Sequence, residues 1–353
     1  MKICFLEGDM SRRGGTERAT ALLANALSSE HQVTVVSLNF SNGEFFFNLL
    51  PTVQHLALSP SRGKLGIIQQ IFKIHGIIKQ KKFDRVINVD TGMGFYGILA
   101  AIGTPAKVIT WEHANFFNNW GSKVFPFLRR FAARHSDAMV VLTNCDKKNF
   151  ETHIPRHAPI HVIYNPVDLH KFHYNTESRI ILSAGLLTPI KRFDRAIEVA
   201  KTVLLSRPEW TWIICGEGPE RYRLEALIAE NGLIGRVLLP GVIRNMDEQY
   251  RNAAIFVMTS DMEGLPMVLL EAKSWGLPIL SFDIMTGPSD IVTDGLNGRL
   301  IAPCDVNAMA DTLAELMDDY PLRYKYTQNT QIDISRFSFD HVLSEWFALL
   351  EGC

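Results

Sequence analysis

The sequence predicts an α/β chain of two doubly wound parallel sheets, and three observations carry that expectation. Short, β-branched apolar runs alternate with segments of helical period along the whole chain, the rhythm of strands joined by helical crossovers. The rhythm runs through six apolar runs, pauses at a polar stretch over 168–174, and starts again with six more. A length of 353 residues is too great for one ordinary core and suits two.

Taken in order, KICFLE, QVTVVSL, DRVINVD, KVITWE, AMVVLT and HVIYNP are the strands expected in a first domain, 1–172. Gly14 and Gly15 follow the first of them in GDMSRRGGTER. Between strands, the basic stretch 64–82 places Ile67, Ile71, Ile74 and Ile78 on one helical face, a stripe that could assist at a membrane but is expected to pack inward. The stretch 120–135, written as a helix, aligns Lys123, Phe127, Arg130 and Arg134 in a basic stripe beside Val124, Leu128, Phe131 and Ala132. That pairing suits a helix in a lipid interface or one packed on its sheet with a solvated basic edge. RIILSAG, TWIICGEG, VLLPG, AIFVMTS, LPILSFD and GRLIAP form the second domain, 173–330. The segment 331–353 closes the chain with a helix carrying Val342, Trp346, Leu349 and Leu350 behind a Ser338 cap, expected to pack back toward the first domain. Ligands of open α/β sheets lie beyond the carboxyl ends of the strands, so two such sheets facing one another would form a cleft.

The composition excludes several classes. Apolar residues make up 47% and charged residues 21%, a globular balance, and no apolar stretch has the length of a membrane span. The start of the chain lacks the pattern of a signal peptide, and five scattered cysteines without CxxC spacing argue against a disulfide framework or a zinc site and fit the cytoplasm. Residues 1–172 hold 20 Lys and Arg against 12 Asp and Glu, and 173–353 hold 16 against 25. The basic half suits an anionic partner such as a membrane surface. Nucleic acid is not expected, for want of a basic block with stacking aromatics.

The strongest local constellation is SDMEGLPMVLLEAKSWGLPILSFD. Glu263 precedes Gly264, Leu265 and Pro266 at a loop-to-helix junction, with Pro266 expected in the first helical turn and Glu271 about two turns along. Helix N-terminal amides form an anion site, and carboxylates accept from hydroxyls. The alternative is that Glu263 only caps the helix and Glu271 is a solvated face residue. Gly14 and Gly15, without GxGxxG, are a weak nucleotide signature. His113 after a strand is by itself more often structural than catalytic. Gly216 and Gly218 after WIIC and Pro240 after VLL have turn chemistry as their plain reading. No Asp-x-Asp occurs, so no metal site and no cofactor are expected.

From Ser260 to Pro303, the spacing Glu263 to Glu271 followed by TGPSDIV and DGLNGRLIAP resembles the donor-binding half of retaining glycosyltransferase family 4, of GT-B architecture. The resemblance continues through SAGLLTPIKRFDRAIE, WIICGEGPER, VLLPGVIRN, GGTERATALLANAL, TWEHANFFN, VVLTNCDKKNF and VIYNPVD, nearly the whole chain. It implies that Glu271 holds the ribose hydroxyls, that Glu263 contacts the donor sugar, and that Lys191, near Gly185, neutralises the departing diphosphate. It also implies that His113 lies beside the transferred sugar or leaving phosphate, that the loop of Gly14 and Gly15 approaches donor phosphates and acceptor, and that Gly216, Gly218 and Pro240 border base and ribose. The family usually places arginine after the glycine of the SAG-type strand. This chain has Leu186, so Arg192, Arg12 or Arg13 would have to supply that charge.

The expected activity is metal-independent, retaining transfer of a hexose or N-acetylhexosamine from a UDP-sugar to a glycan or lipid-linked acceptor. The setting is bacterial surface polysaccharide synthesis (lipopolysaccharide, O-antigen or capsule), at the cytoplasmic face of the plasma membrane. The rivals are a nucleotide-sugar epimerase or a phosphorylase of the same architecture, and a non-catalytic sugar-nucleotide binding protein.

Overall fold

A computed structural model describes residues 1–60, 63–119, 121–171 and 174–353. The chain divides into two compact units: Met1–Pro166 with Phe339–Cys353, and Val167–Ser338. The expected boundary at 172–173 falls on residues outside the described ones.

The first unit runs β1 (Lys2–Asp9), α1 (Gly15–Leu27), β2 (Gln32–Asn39), β3 (Gln54–Ala57), α2 (Gly63–Lys81), β4 (Arg85–Val89), α3 (Thr91–Ala101), β5 (Lys107–Trp111), α4 (Phe125–His135), β6 (Ala138–Val141), α5 (Asn144–His153) and β7 (Ile160–Val162). Its strands pair in parallel in the order β3-β2-β1-β4-β5-β6-β7. The second unit runs β8 (Ile180–Ala184), α6 (Phe193–Leu204), β9 (Thr211–Cys215), α7 (Arg221–Glu230), β10 (Val237–Gly241), α8 (Asp247–Asn252), β11 (Ile255–Met258), α9 (Met267–Ser274), β12 (Ile279–Phe282), α10 (Pro288–Ile291), β13 (Gly298–Ile301), α11 (Val306–Asp318) and α12 (Tyr320–Asn329). Its order is β10-β9-β8-β11-β12-β13, again all parallel. The final helix, α13 (Phe339–Gly352), belongs to the first unit.

Continuous burial along β1, β4, β5, β6, β11 and β12 is what strands covered by helices on both faces require. The twelve apolar runs read from the sequence all contain strands. The thirteenth, β3, is a four-residue QHLA edge strand without a fully buried residue, so it has no apolar run to announce it. In α13, Val342, Trp346, Leu349 and Leu350 are buried. Trp346 meets Trp111 edge-on at 5.1 Å, and Arg85 donates to the Leu350 carbonyl at 3.0 and 2.6 Å.

Two helices differ from expectation. The helix expected over 120–135 begins at Phe125, with Pro126 in its first turn, where its missing N–H costs nothing. Lys123 and Val124 therefore precede it, and Trp120 lies outside the described residues. In α2, Ile74 and Ile78 are buried in the core with Ile71 packed against them, whereas Ile67 is exposed.

Strand order reverses between β1 and β4 in the first sheet, and between β8 and β11 in the second. At such switch points the loops leaving adjacent strands turn to opposite sides and open a crevice.

Candidate active site

In the second unit the loops leaving β8 and β11 bring two of the expected residues together. Lys191 closes a one-turn 3-10 helix, Pro189–Lys191, and its Nζ lies 2.6 Å from Glu263 Oε1, both side chains being mostly buried. Gly185, at the end of β8, lies against the Lys191 stem. The loops are joined through their backbones: Asp261 N–H donates to the Ile190 carbonyl at 2.9 Å and Thr259 Oγ1 to the Lys191 carbonyl at 3.1 Å.

Glu271 sits on α9. The helix starts at Met267 and Pro266 is its N-cap, so Pro266 stands one position before the expected first turn. Glu271 lies little more than one turn in, not two. It is also buried rather than solvated, and Tyr250 of α8 donates its phenol to Glu271 Oε2 at 2.5 Å. The sequence singled out Glu271 and missed Tyr250, whose only signal is an aromatic in MDEQYRN.

The TGPS segment locks the loop ahead of α9. Thr286 Oγ1 donates to the Glu263 carbonyl at 2.6 Å. At Gly287, with φ +99°, a Cβ would stand 2.4 Å from Pro266 Cδ and 2.8 Å from the Gly264 carbonyl oxygen. Only glycine permits so close an approach in that conformation. Leu265 is buried beneath the same loop.

The other residues expected to contact the donor lie on or just after β8, β9 and β10. Gly216 packs so closely on Gly185 that a Cβ would meet its carbonyl oxygen at 1.8 Å, and Gly218 packs similarly on Leu187. Leu187 N–H donates to Glu217 O at 2.9 Å. Pro240 is exposed on β10, an edge strand, where a missing N–H is tolerated. Arg192 contacts Asp194 at 3.0 and 3.2 Å and Asp261 at 3.0 Å; these carboxylates raise its pKa further. Leu186, in the place of the usual arginine, is 48% exposed.

The first unit holds a different set at the ends of β1, β4 and β5. Glu7 is buried, accepting from Gly8 N–H at 2.8 Å and Thr20 Oγ1 at 3.1 Å; burial, then the charge of Glu17, pushes its pKa up to about 8. Burial likewise raises Glu17. Asp90, at φ +79°, caps α3 through Gly92 N–H at 2.8 Å. Glu112 accepts from Ala114 N–H at 2.9 Å and from Thr91 Oγ1. Burial raises both Asp90 and Glu112, and Asp90 adds to the rise of Glu112. Arg129 of α4 opposes this with its charge and donates to Asn118 O at 2.6 Å and Asn119 Oδ1 at 3.0 Å.

His113 rests on Trp111 with ring centroids 4.2 Å apart, and burial pulls its imidazole down to about 3. Its Nε2 is buried and finds no hydrogen-bond partner among the described residues. Gly14 is the N-cap of α1 and Gly15 its first residue; a Cβ on Gly14 would collide with the Glu17 carboxyl at 2.3 Å. Of the acids gathered here the sequence reading named none.

The chain matches two family models: Glycosyltransferase Family 4 over residues 13–171 and Glycosyl transferases group 1 over residues 168–333. It is 31% identical to the lipopolysaccharide 1,6-galactosyltransferase of Salmonella typhimurium, covering 86% of each chain. It is 28% identical to the GalNAc-alpha-(1->4)-GalNAc-alpha-(1->3)-diNAcBac-PP-undecaprenol alpha-1,4-N-acetyl-D-galactosaminyltransferase of Campylobacter jejuni, covering 99% of this chain and 98% of that protein. An exopolysaccharide phosphotransferase of Streptomyces coelicolor is 29% identical over 98% of this chain, which spans only 40% of its length. The fold is shared with the crystal structure of a Staphylococcus aureus TarM mutant in complex with fondaparinux, α-GlcNAc-glycerol and UDP: TM-score 0.86, 16% identity and 99% of each chain.

Proposed function

From the premise that this chain belongs to glycosyltransferase family 4 and is a glycosyltransferase of GT-B architecture, we propose that it transfers a hexose or N-acetylhexosamine from a UDP-sugar, with retention, to a lipid-linked glycan acceptor in bacterial surface polysaccharide synthesis. The observation that carries this reading is the meeting of Lys191 and Glu263 at the switch point of the second sheet, with Glu271 on the following helix α9 held by Tyr250. The relatives' names support the setting, one acting on lipopolysaccharide and one on an undecaprenol-linked glycan. The UDP of the TarM complex supports the donor.

Each residue then has one task. Lys191 neutralises charge as the nucleoside diphosphate leaves, and the N-terminus of α9 adds its amides. Glu263 accepts hydrogen bonds from the donor sugar, and Glu271 from the ribose. Because Lys191 and Glu263 hold one another, donor binding exchanges that ion pair for a new one, phosphate on lysine, and for a hydrogen bond from a sugar hydroxyl to the carboxylate. In a retaining step of this kind the diphosphate's own oxygen takes the acceptor proton, so neither glutamate needs to be a base. In the first unit, neutral His113 and the loop of Gly14 and Gly15 serve the reacting sugar and phosphates, while the exposed basic edge of Lys123, Arg130 and Arg134 faces an anionic membrane. Among the described residues no helix is long and apolar enough to cross a membrane, so the contact proposed is peripheral.

The test is a thermal-shift panel of nucleotides and nucleotide sugars, followed by turnover on a lipid-linked acceptor. A ligand at 100 times its Kd adds about 2.7 kcal/mol. UDP and one or more UDP-sugars should raise the melting temperature, with or without EDTA. Stabilisation by GDP- or ADP-sugars alone would refute the donor assignment, and an epimer in the NMR spectrum of UDP-sugar and enzyme alone would refute transfer.

A further inference from the structure

The 19-residue helix α2 has two faces of different kinds. At 100° per residue, Ile71, Ile74 and Ile78 share the side that packs on the sheet. Leu65, Ile68 and Phe72 fall on the opposite side, within about 60° of one another. They are 76%, 50% and 70% exposed, with Lys79 on the same face and Lys73 beside it, both exposed. From Phe45 to Phe83 the sequence contains no Asp or Glu, and over that span it has six Lys and Arg. A soluble surface helix normally carries charge of both signs opposite its buried stripe. Here the outward side is apolar and flanked by one sign of charge.

That combination selects the occupant. Apolar side chains exposed together mark a contact surface, and the lysines require it to be anionic. A second copy of this helix packed face to face would set lysine against lysine. An anionic bilayer accepts both parts, with apolar groups in the acyl boundary and ammonium groups among the phosphates.

We propose that the outer face of α2 is the apolar anchor of this protein on an anionic membrane: Leu65, Ile68 and Phe72 enter the interface while Lys73 and Lys79 meet the headgroups. This rests on the membrane-facing reading above and deepens it, because it divides the work. The basic edge around α4 supplies salt-sensitive attraction, and α2 supplies salt-insensitive insertion.

The test is co-sedimentation of the full chain with phosphatidylglycerol–phosphatidylcholine vesicles, and with phosphatidylcholine alone, at low and high salt. Replacing Leu65, Ile68 and Phe72 together by serine should lower partitioning about tenfold or more at both salt concentrations, with the thermal shift by UDP unchanged. Reversing Lys123, Arg130 and Arg134 to glutamate should matter mainly at low salt. In Phe72→Trp, added emission should shift to the blue with anionic vesicles relative to wild type. If wild type binds no vesicle, the membrane reading itself falls. If wild type binds and the serine variant binds equally, or the Phe72→Trp emission does not move, only the assignment to α2 is overturned. A wild-type dimer that the serine changes dissociate, with vesicle binding intact, would overturn it in favour of a second copy.

Discussion

At the switch point of the second sheet opposite charges are joined, whereas at that of the first sheet like charges are crowded. Lys191 meets Glu263, and Glu271 meets a neutral phenol. Glu7, Asp90 and Glu112 lie at the ends of neighbouring strands with Glu17 on α1; burial raises all four, the charge of Glu17 adds to the rise of Glu7, and that of Asp90 adds to the rise of Glu112. A mostly buried ion pair can be exchanged for a ligand only where each partner finds a new one, because a buried charge left unpaired is costly. Buried carboxyls with raised pKa instead hold protons and can donate as well as accept, which suits neutral hydroxyls. On the proposed reading, the same arrangement of strands would meet a phosphate in one unit and uncharged polar groups in the other.

The largest effects are expected where charge is exchanged. Lys191→Ala should lower kcat/KM about 10²–10³-fold, the scale of losing one stabiliser of developing negative charge, and it leaves the Glu263 carboxylate without its cation. Glu263→Ala should lower turnover with UDP affinity largely kept, since it is assigned to the sugar and not the nucleotide. Because the two side chains touch, the double variant should lose less than the sum of the two. Additive losses would mean that the pair seen here is not the functional one, and abolition of UDP binding by Glu263→Ala would reverse the assigned roles.

Smaller effects are expected one layer deeper. Glu271→Ala should weaken UDP binding by about 1.5–3 kcal/mol, the worth of a charge-assisted hydrogen bond. Tyr250→Phe should weaken it by about 0.5–1.5 kcal/mol, because the carboxylate remains but its orientation is less well held. Calorimetric titration with UDP separates binding from stability. If Tyr250→Phe lowered the melting temperature and left the UDP Kd unchanged, the phenol would be packing and nothing more.

The contrast between the units also governs what could be read from the chain. Strands announced themselves wherever both faces were buried, and β3 escaped because an edge strand of four residues needs no apolar run. The candidate residues of the second unit were legible because Glu263, the GLP turn and Glu271 lie within nine consecutive positions, where a helix start fixes their relation. The spacing could not show the inward turn of Glu271, which depends on Tyr250 from another helix. In the first unit Glu7, Asp90 and Glu112 come from three strands separated by dozens of residues. Only the parallel register, pairing Leu6 with Asn88 and Val89 with Trp111, brings them into one row. His113 was singled out within TWEHANFFN although Glu112 stands directly before it, while Glu7 and Asp90 lay in no such motif. The exposed side of α2 was passed over because its four-isoleucine stripe drew attention to the buried side.

The last prediction probes the crowded carboxyls through pH. Glu7 has its pKa raised from 4.5 to about 8 by burial and then by Glu17, so between those values the folded chain binds more protons here than the unfolded one. Stability from this group is therefore fully present below pH 4.5 and is lost as pH rises toward 8, by at most about 1.4 kcal/mol per pH unit. Neighbouring acids share the same protons and reduce that slope. His113 acts in the opposite direction: its pKa is lowered from 6.5 to about 3 by burial, so its contribution is present above 6.5 and is lost as pH falls through that range. Lys273, buried and lowered to about 8 mainly by burial, changes stability above pH 8, outside the window used here. Melting temperature followed from pH 5 to 8 should pass through a maximum and decline toward the alkaline end. Glu7→Gln keeps acceptor and shape without ionisation, and should flatten the alkaline decline while leaving the acid limb unchanged. His113→Gln should do the reverse. Equal alkaline slopes for wild type and Glu7→Gln would show that Glu7 does not hold its proton in the folded chain, and the contrast between the two switch points would then rest on Asp90 and Glu112 alone.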